Sequence, residues 1–189
     1  MAGTREALID AAASLLDEGG PAAVTLREVA RLAGVSHNAP YKHFADKEDL
    51  LAAVVARDLT RQAEQLRRRV RGLPAIDAVR ASLHGQIRHA LRRPHLFRVT
   101  YGPWTTRSPE LTHAATAGRA AFVELVAAAQ REGALPAGDP ERLASLLQSV
   151  VHGAVHLALA GHLARQGKGR ADPIDLVDEL LANLRTDTR

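Results

Sequence analysis

The chain has 189 residues, 46% apolar and 24% charged, which is enough to bury a core and too apolar for a disordered tail. It has no cysteine, which excludes disulfides and thiolate metal sites and suits a reducing compartment. A formal charge of +4 permits a polyanionic partner, and no apolar run approaches the roughly 18 residues that span a bilayer. Arg5 and Asp10 fall too early for a secretory signal, so a cytoplasmic protein with no membrane partner is expected.

In chain order, the apolar residues recur with helical spacing and no strand-like alternation, so the expected fold class is all-α. Leu8, Ala11, Ala12, Leu15 and Leu16 line one face of a first helix that Gly19-Gly20-Pro21 is expected to stop. Thr25-Leu26-Arg27-Glu28 has the form of a capping box, opening a short helix that runs to Ala33. Gly34 supplies a turn, and Ser36 is placed to cap a third helix ending near Phe44. Asp46 caps a fourth, with Glu48 and Asp49 in its positive first turn, and that helix is expected to run to about Arg71. Further helices are predicted at about 75–92, 95–101, 109–132, 140–166 and 174–185, with Phe122, Leu125, Val126 and Ala129 as a stripe on the third of these.

The charge is unevenly spread. Residues 1–50 carry more acidic than basic groups, whereas 51–72 hold Arg57, Arg61, Arg67, Arg68, Arg69 and Arg71 against Asp58 and Glu64. Any recognition of DNA by the N-terminal part must therefore rest on a few well-placed groups. The run at 67–71 reads better as a solvated helix end, where cations suit the dipole, than as a second DNA site.

Two short helices joined by a tight glycine turn make a helix-turn-helix. Ala30 keeps the crossing close, Gly34 takes a turn conformation that a Cβ penalises, and Val29, Leu32 and Val35 supply an apolar underside. His37, Asn38, Ala39, Lys42 and His43 remain outward, and an asparagine can pair bidentately with adenine. An ordinary helical hairpin inside a bundle has the same features. Pro40 falls inside the expected third helix, where it removes only the first bond, to the Ser36 carbonyl, and biases Ala39 away from helical geometry.

The segment TLREVARLAGVSHNAPYKHFADKEDLL, Thr25 to Leu51, resembles the DNA-binding domain of the TetR family of bacterial transcriptional regulators. The resemblance lies in the Thr-capped helix, Ala33-Gly34-Val35-Ser36, Tyr41-Lys42-His43-Phe44 and Lys47-Glu48-Asp49-Leu50-Leu51. It implies an N-terminal three-helix helix-turn-helix domain over 1–48, and a C-terminal helical domain for ligand binding and dimerisation over 49–189. It also implies that Tyr41, Lys47 and Thr25 contact phosphate and that Phe44 is buried. His37, Asn38 and Pro40 are then candidates for base edges, Arg27 and His43 for phosphate, and Ser36 joins them at the tip. For each polar residue the alternative is plain solvation.

For the second half the resemblance implies a homodimer built on the last two long helices and an inducer pocket in the C-terminal core. Ser145, Ser149 and Gly153 recur every four residues and give a smooth stripe that lets another helix approach closely, with close packing within one chain as the alternative. Phe97, Tyr101, Trp104 and Phe122 are candidates for the pocket, with ordinary core packing as the alternative. His152-Gly153 is similar to a His-Gly of one subgroup's C-terminal domain, which places His152 in the core or near the pocket. His156, one turn on, joins the pocket candidates, and the pair has a metal-chelating spacing, with His84, His89 and His113 as possible additions. No cysteine or nearby carboxylate anchors such a site, so neither a metal nor another cofactor is expected.

The leading function is a ligand-responsive repressor, binding a palindromic DNA operator as a homodimer and released by a small-molecule effector. The rival is a helical metal-dependent enzyme using the C-terminal histidines. It lacks a nucleophile–base pair, a phosphate loop and a metal motif, so no enzymatic activity is expected.

Overall fold

The computed structural model describes residues 3–184, which contain eight α-helices and one 3₁₀ turn. In order these are α1 (Thr4–Ala23), α2 (Leu26–Leu32), the 3₁₀ turn (Pro40–Lys42), α3 (Lys47–Val70) and α4 (Ala75–Arg92). Then follow α5 (Pro94–Thr100), α6 (Pro109–Arg131), α7 (Pro140–Leu159) and α8 (Pro173–Leu184). Arg185, the expected end of the last helix, lies outside the described residues. No described helix is long and apolar enough to cross a membrane.

The helices group into two compact units: residues up to 61 with 93–116, and residues 62–92 with those from 117 on. The first is built where α1 packs on α2 and on α5. Leu8, Ala12 and Leu16 of α1, Val24, Val29, Phe44, Leu50, Val54 and Leu96 are buried together in its core. The stop expected at Gly19-Gly20-Pro21 is a kink: Gly20 leaves helical geometry at φ 68°, ψ −171°, and one further turn follows it.

Ion pairs clamp this unit. Arg93, just before α5, reaches Asp17 of α1 at 2.8 Å and Asp58 of α3 at 2.8 Å. Arg57 of α3 reaches Asp10 at 2.7 Å and Glu6 at 3.4 Å on α1.

In the second unit α4, α7 and α8 pack on one another. Val79, Leu83 and Ile87 of α4, Leu147, Val151 and Val155 of α7, and Val177 and Leu181 of α8 are buried. Phe122, Val126 and Ala129 of α6 are buried as their spacing predicts, while Leu125 is only half-buried. Arg119 binds the start of α7, at the Glu141 carboxylate (2.8 Å), the Glu141 carbonyl (3.0 Å) and Ser145 Oγ (2.7 Å).

One expected boundary moves inward. The helix predicted over 140–166 ends at Leu159, because Gly161 takes φ +74°. The chain then closes on the last turn, with His162 N–H donating to Leu157 O at 2.8 Å and Gly161 N–H to Ala158 O at 3.0 Å. That pair of bonds is a Schellman stop, and it uses the carbonyls a longer helix would have needed.

Candidate nucleic-acid interface

The head begins with a working cap. Thr25 Oγ1 accepts from the Glu28 N–H at 3.1 Å, as its place before α2 predicts. The other half of the capping box is absent from this arrangement, since the Glu28 carboxylate takes Arg31 at 2.6 Å. That surface pair uses one of the five N–H groups of Arg31, whose side chain stays 70% exposed. Thr25 is exposed, and its hydroxyl still has a proton to give a phosphate.

Leu26, Val29, Ala30 and Ala33 make the inward face of α2. Leu32, expected beneath it, is 46% exposed. At about 100° per residue it lies roughly a third of a turn from the centre of that face. Gly34 closes the helix at φ +67°, with Val35 N–H on Ala30 O at 3.1 Å and Gly34 N–H on Arg31 O at 3.3 Å. The turn expected of Gly34 is therefore a Schellman motif, and it aims the chain into the recognition segment.

Residues 36–44 depart from the expected third α-helix, which contracts to the 3₁₀ turn Pro40–Lys42. Pro40 has no N–H for the Ser36 carbonyl, and that carbonyl takes the Ala39 N–H instead at 2.9 Å. The shorter i to i+3 ring pulls the backbone tight, so Ser36 caps no α-helix there. Ala39 is helical at φ −61°, ψ −40°, contrary to the bias expected from the proline after it. The segment is closed by Phe44 N–H on Pro40 O at 2.9 Å.

This tight turn sorts the side chains. Pro40 and Phe44 are buried, and the Arg5 guanidinium lies 5.4 Å above the Phe44 ring. Ser36, His37, Asn38, Lys42 and His43 are exposed, and Tyr41 is 63% exposed with its phenol on the surface. Pro40, named as a base-edge candidate, is therefore inside the head; it fixes the turn that presents its neighbours. Arg27 is exposed on α2.

The helix after the turn is capped from both directions. Asp46 Oδ1 accepts from Asp49 N–H at 2.9 Å, and Asp49 Oδ2 accepts from Ala45 N–H at 3.1 Å. Lys47, half-buried in the first turn of α3, donates from Nζ to the Pro21 carbonyl at 2.5 Å. That contact fixes the ammonium beside the end of α1 and leaves protons for a phosphate. Glu48 next to it accepts from Thr105, a tie with no counterpart in the local sequence pattern. The Arg93 and Arg57 clamps were likewise illegible, because their partners lie far away along the chain.

The residues named for effector binding fall in different units. Phe97, Tyr101 and Trp104 belong to the first, where Trp104 packs against the head core and the Phe97 and Tyr101 rings stand 5.2 Å apart. Desolvation, and then the Asp58 carboxylate, push the Tyr101 phenol above its ordinary pKa, although the residue as a whole is 53% exposed and solvent damps the shift. Phe122, His152 and His156 belong to the second unit. Phe122 is buried, His152 is half-buried and held below its ordinary pKa by desolvation, and His156 is exposed. His84 Nε2 lies 2.9 Å from Asp178 Oδ1. Among the described residues no three His, Asp or Glu side chains gather as a metal site. Ser145, Ser149 and Gly153 form an exposed stripe on α7, with Leu146 at 49% and Leu157 at 45% exposure beside it.

Known proteins share this architecture. Residues 8–54 match the family model "Bacterial regulatory proteins, tetR family", and residues 79–184 match "Tetracyclin repressor-like, C-terminal domain". The HTH-type transcriptional regulator BetI of Rhizobium meliloti (strain 1021) is 28% identical over 156 residues, covering 79% of this chain and 74% of that protein. A protein of unknown function from Rhodococcus sp. RHA1 superposes with a TM-score of 0.80 at 28% identity, covering 98% of this chain and 97% of that one. The SmeT–triclosan complex superposes with a TM-score of 0.68 at 25% identity, covering 98% and 93%. With the capped α2, the glycine turn and the exposed tip all in place on matched residues, the chain belongs to the TetR family of DNA-binding bacterial transcriptional regulators.

Proposed function

We propose that the protein is a repressor that binds a palindromic operator as a homodimer and is released by a small-molecule effector. The observation that carries this reading is the sorting of the head: Pro40 and Phe44 turn inward while His37, Asn38, Tyr41 and His43 turn out. In this reading Tyr41, Thr25, Arg27, His43 and Lys47 hold phosphates, and His37 and Asn38 meet base edges, with Ser36 at the tip. Residues 1–48 form the DNA-reading part, and 49–189 hold the effector and the second copy.

The exposed stripe of Ser145, Ser149 and Gly153, flanked by Leu146 and Leu157, supports α7 as part of the dimer face. Two copies about a two-fold axis would present their tips to half-sites about one turn of DNA, or a multiple of it, apart. A small-molecule effector is supported by a relative whose structure was solved with triclosan. We place the effector in the second unit, near Phe122 and His152, and assign the protein no catalytic role and a cytoplasmic location.

A gel-shift assay on DNA flanking its own gene tests this. Sequence-specific, salt-sensitive binding to a palindrome is expected, and binding with no preference over unrelated DNA overturns it.

A further inference from the structure

The buried residues of the described chain are almost wholly apolar; the one polar exception is Ser82 of α4, at 3% exposure. One turn on, Gln86 Nε2 donates to Ser82 Oγ across a long 3.4 Å. Its other amide atom, Oε1, is buried with no hydrogen-bond partner among the described residues. Val79, Leu83 and Ile87 of the same helix are fully buried around this spot in the sequence. The helix packs against α7, which carries the half-buried His152.

A buried amide oxygen without a donor is costly, so a folded chain keeps one only where something else supplies the donor. Gln86 can turn its amide over, exchanging oxygen and nitrogen, and Ser82 can rotate its hydroxyl. The spot therefore accepts a group that donates and accepts at once. The buried residues include no charged side chain, and the cation beside this stretch is Arg69, whose Nη1 stands 3.1 Å from where a Cβ on Gly85 would lie; the naphthoate arm of the test below separates an anionic ligand from a neutral one.

We propose that the Ser82–Gln86 pair is the polar contact of the effector site, and that it selects an uncharged, mainly apolar molecule bearing one hydroxyl or amide. This rests on the reading of the second unit as the effector-binding part. Gln86 fixes the orientation of the ligand, and the surrounding aliphatic side chains supply most of the affinity.

The test compares three probes of matched shape on the full chain: 1-naphthol, 1-methoxynaphthalene and 1-naphthoate, titrated by thermal shift. In the wild type naphthol binds about three- to tenfold tighter than its methyl ether, the worth of one net hydrogen bond. In Gln86→Leu that preference disappears, while the protein unfolds at or above the wild-type temperature because the orphaned atom is gone. If Gln86→Leu does not fold, Ser82→Ala carries the same comparison, and the preference falls by at least half. Equal binding of naphthol and ether in the wild type overturns the proposal, as does a preference that survives both variants. So do tighter binding of naphthoate and no binding of any probe; a trapped water as the sole partner of Gln86 gives one of these results. Failure of the wild type to bind its operator overturns the regulator reading instead, and is measured separately.

Discussion

The Glu48 carboxylate accepts from both the backbone N–H of Thr105, at 2.6 Å, and the Thr105 hydroxyl. These bonds tie the first turn of α3, one residue past Lys47, to the segment between α5 and α6. The Thr105 hydroxyl first, and then its N–H, hold the Glu48 pKa below the ordinary carboxylate value. A lowered folded pKa means the tie stabilises the protein above the unfolded carboxylate value of about 4.3, and is lost as the pH falls through the folded value. Thermal melts of wild type and Glu48→Gln are predicted to differ at pH 6 and to converge as the pH falls below about 4. A gap that stays constant with pH would show that the carboxylate charge is not what Thr105 holds.

Arg93 joins α1 to α3 through Asp17 and Asp58, and the Asp58 side chain is only 12% exposed. Removing the arginine takes the paired cation from a largely buried carboxylate, which costs more than the pair itself contributes. Arg93→Ala is predicted to lose about 2 kcal/mol in urea unfolding, less than for a fully buried pair because Arg93 keeps some solvent contact. The double variant Arg93→Ala/Asp58→Asn should regain at least half of that loss. A double variant no more stable than the single one would contradict the charge argument.

Gly34 sits at φ +67° with open space where a Cβ would stand. The cost of Gly34→Ala is therefore conformational and not steric, and a loss of about 1 kcal/mol is predicted. Equilibrium unfolding measures it. An unchanged midpoint would mean that the turn relaxes out of the left-handed region.

Pro40→Ala restores the N–H that the Ser36 carbonyl lacks, now satisfied by Ala39 at 2.9 Å. The segment 36–44 is predicted to lengthen into a regular α-helix, with the new amide at position 40 protected in hydrogen exchange. Stability should change by about 1 kcal/mol or less, since the added bond offsets the lost rigidity of proline. An unprotected amide would show that the 3₁₀ turn is set by packing around Phe44, with the missing donor playing no part.

Much of this was legible in the sequence, and the misses share a physical cause. The caps at Thr25 and Asp46 and the turn at Gly34 are local chemistry, so a few neighbouring residues specify them. The burial of Phe44 follows from the resemblance. The recognition segment departs from the α-helix that its pattern predicts because, in a segment this short, the i to i+3 ring that replaces the one lost bond dominates the geometry. The end of α7 comes earlier than apolar periodicity predicts, because Gly161 stops a helix that periodicity alone would continue. The Arg93, Arg57 and Glu48 contacts join residues far apart in sequence, and no periodic pattern signals them.

The central claim is that the exposed residues of 36–43 read DNA while buried Pro40 and Phe44 hold them in place. The most direct measurement is the affinity of Tyr41→Phe and Asn38→Ala for the operator and for a set of operators changed one base pair at a time. Tyr41→Phe is predicted to weaken binding to every sequence alike, as loss of a phosphate contact does. Asn38→Ala is predicted to cost about 1–3 kcal/mol on the operator and to relax preference at one position only. The reverse pattern, or two variants that bind as the wild type does, would contradict it.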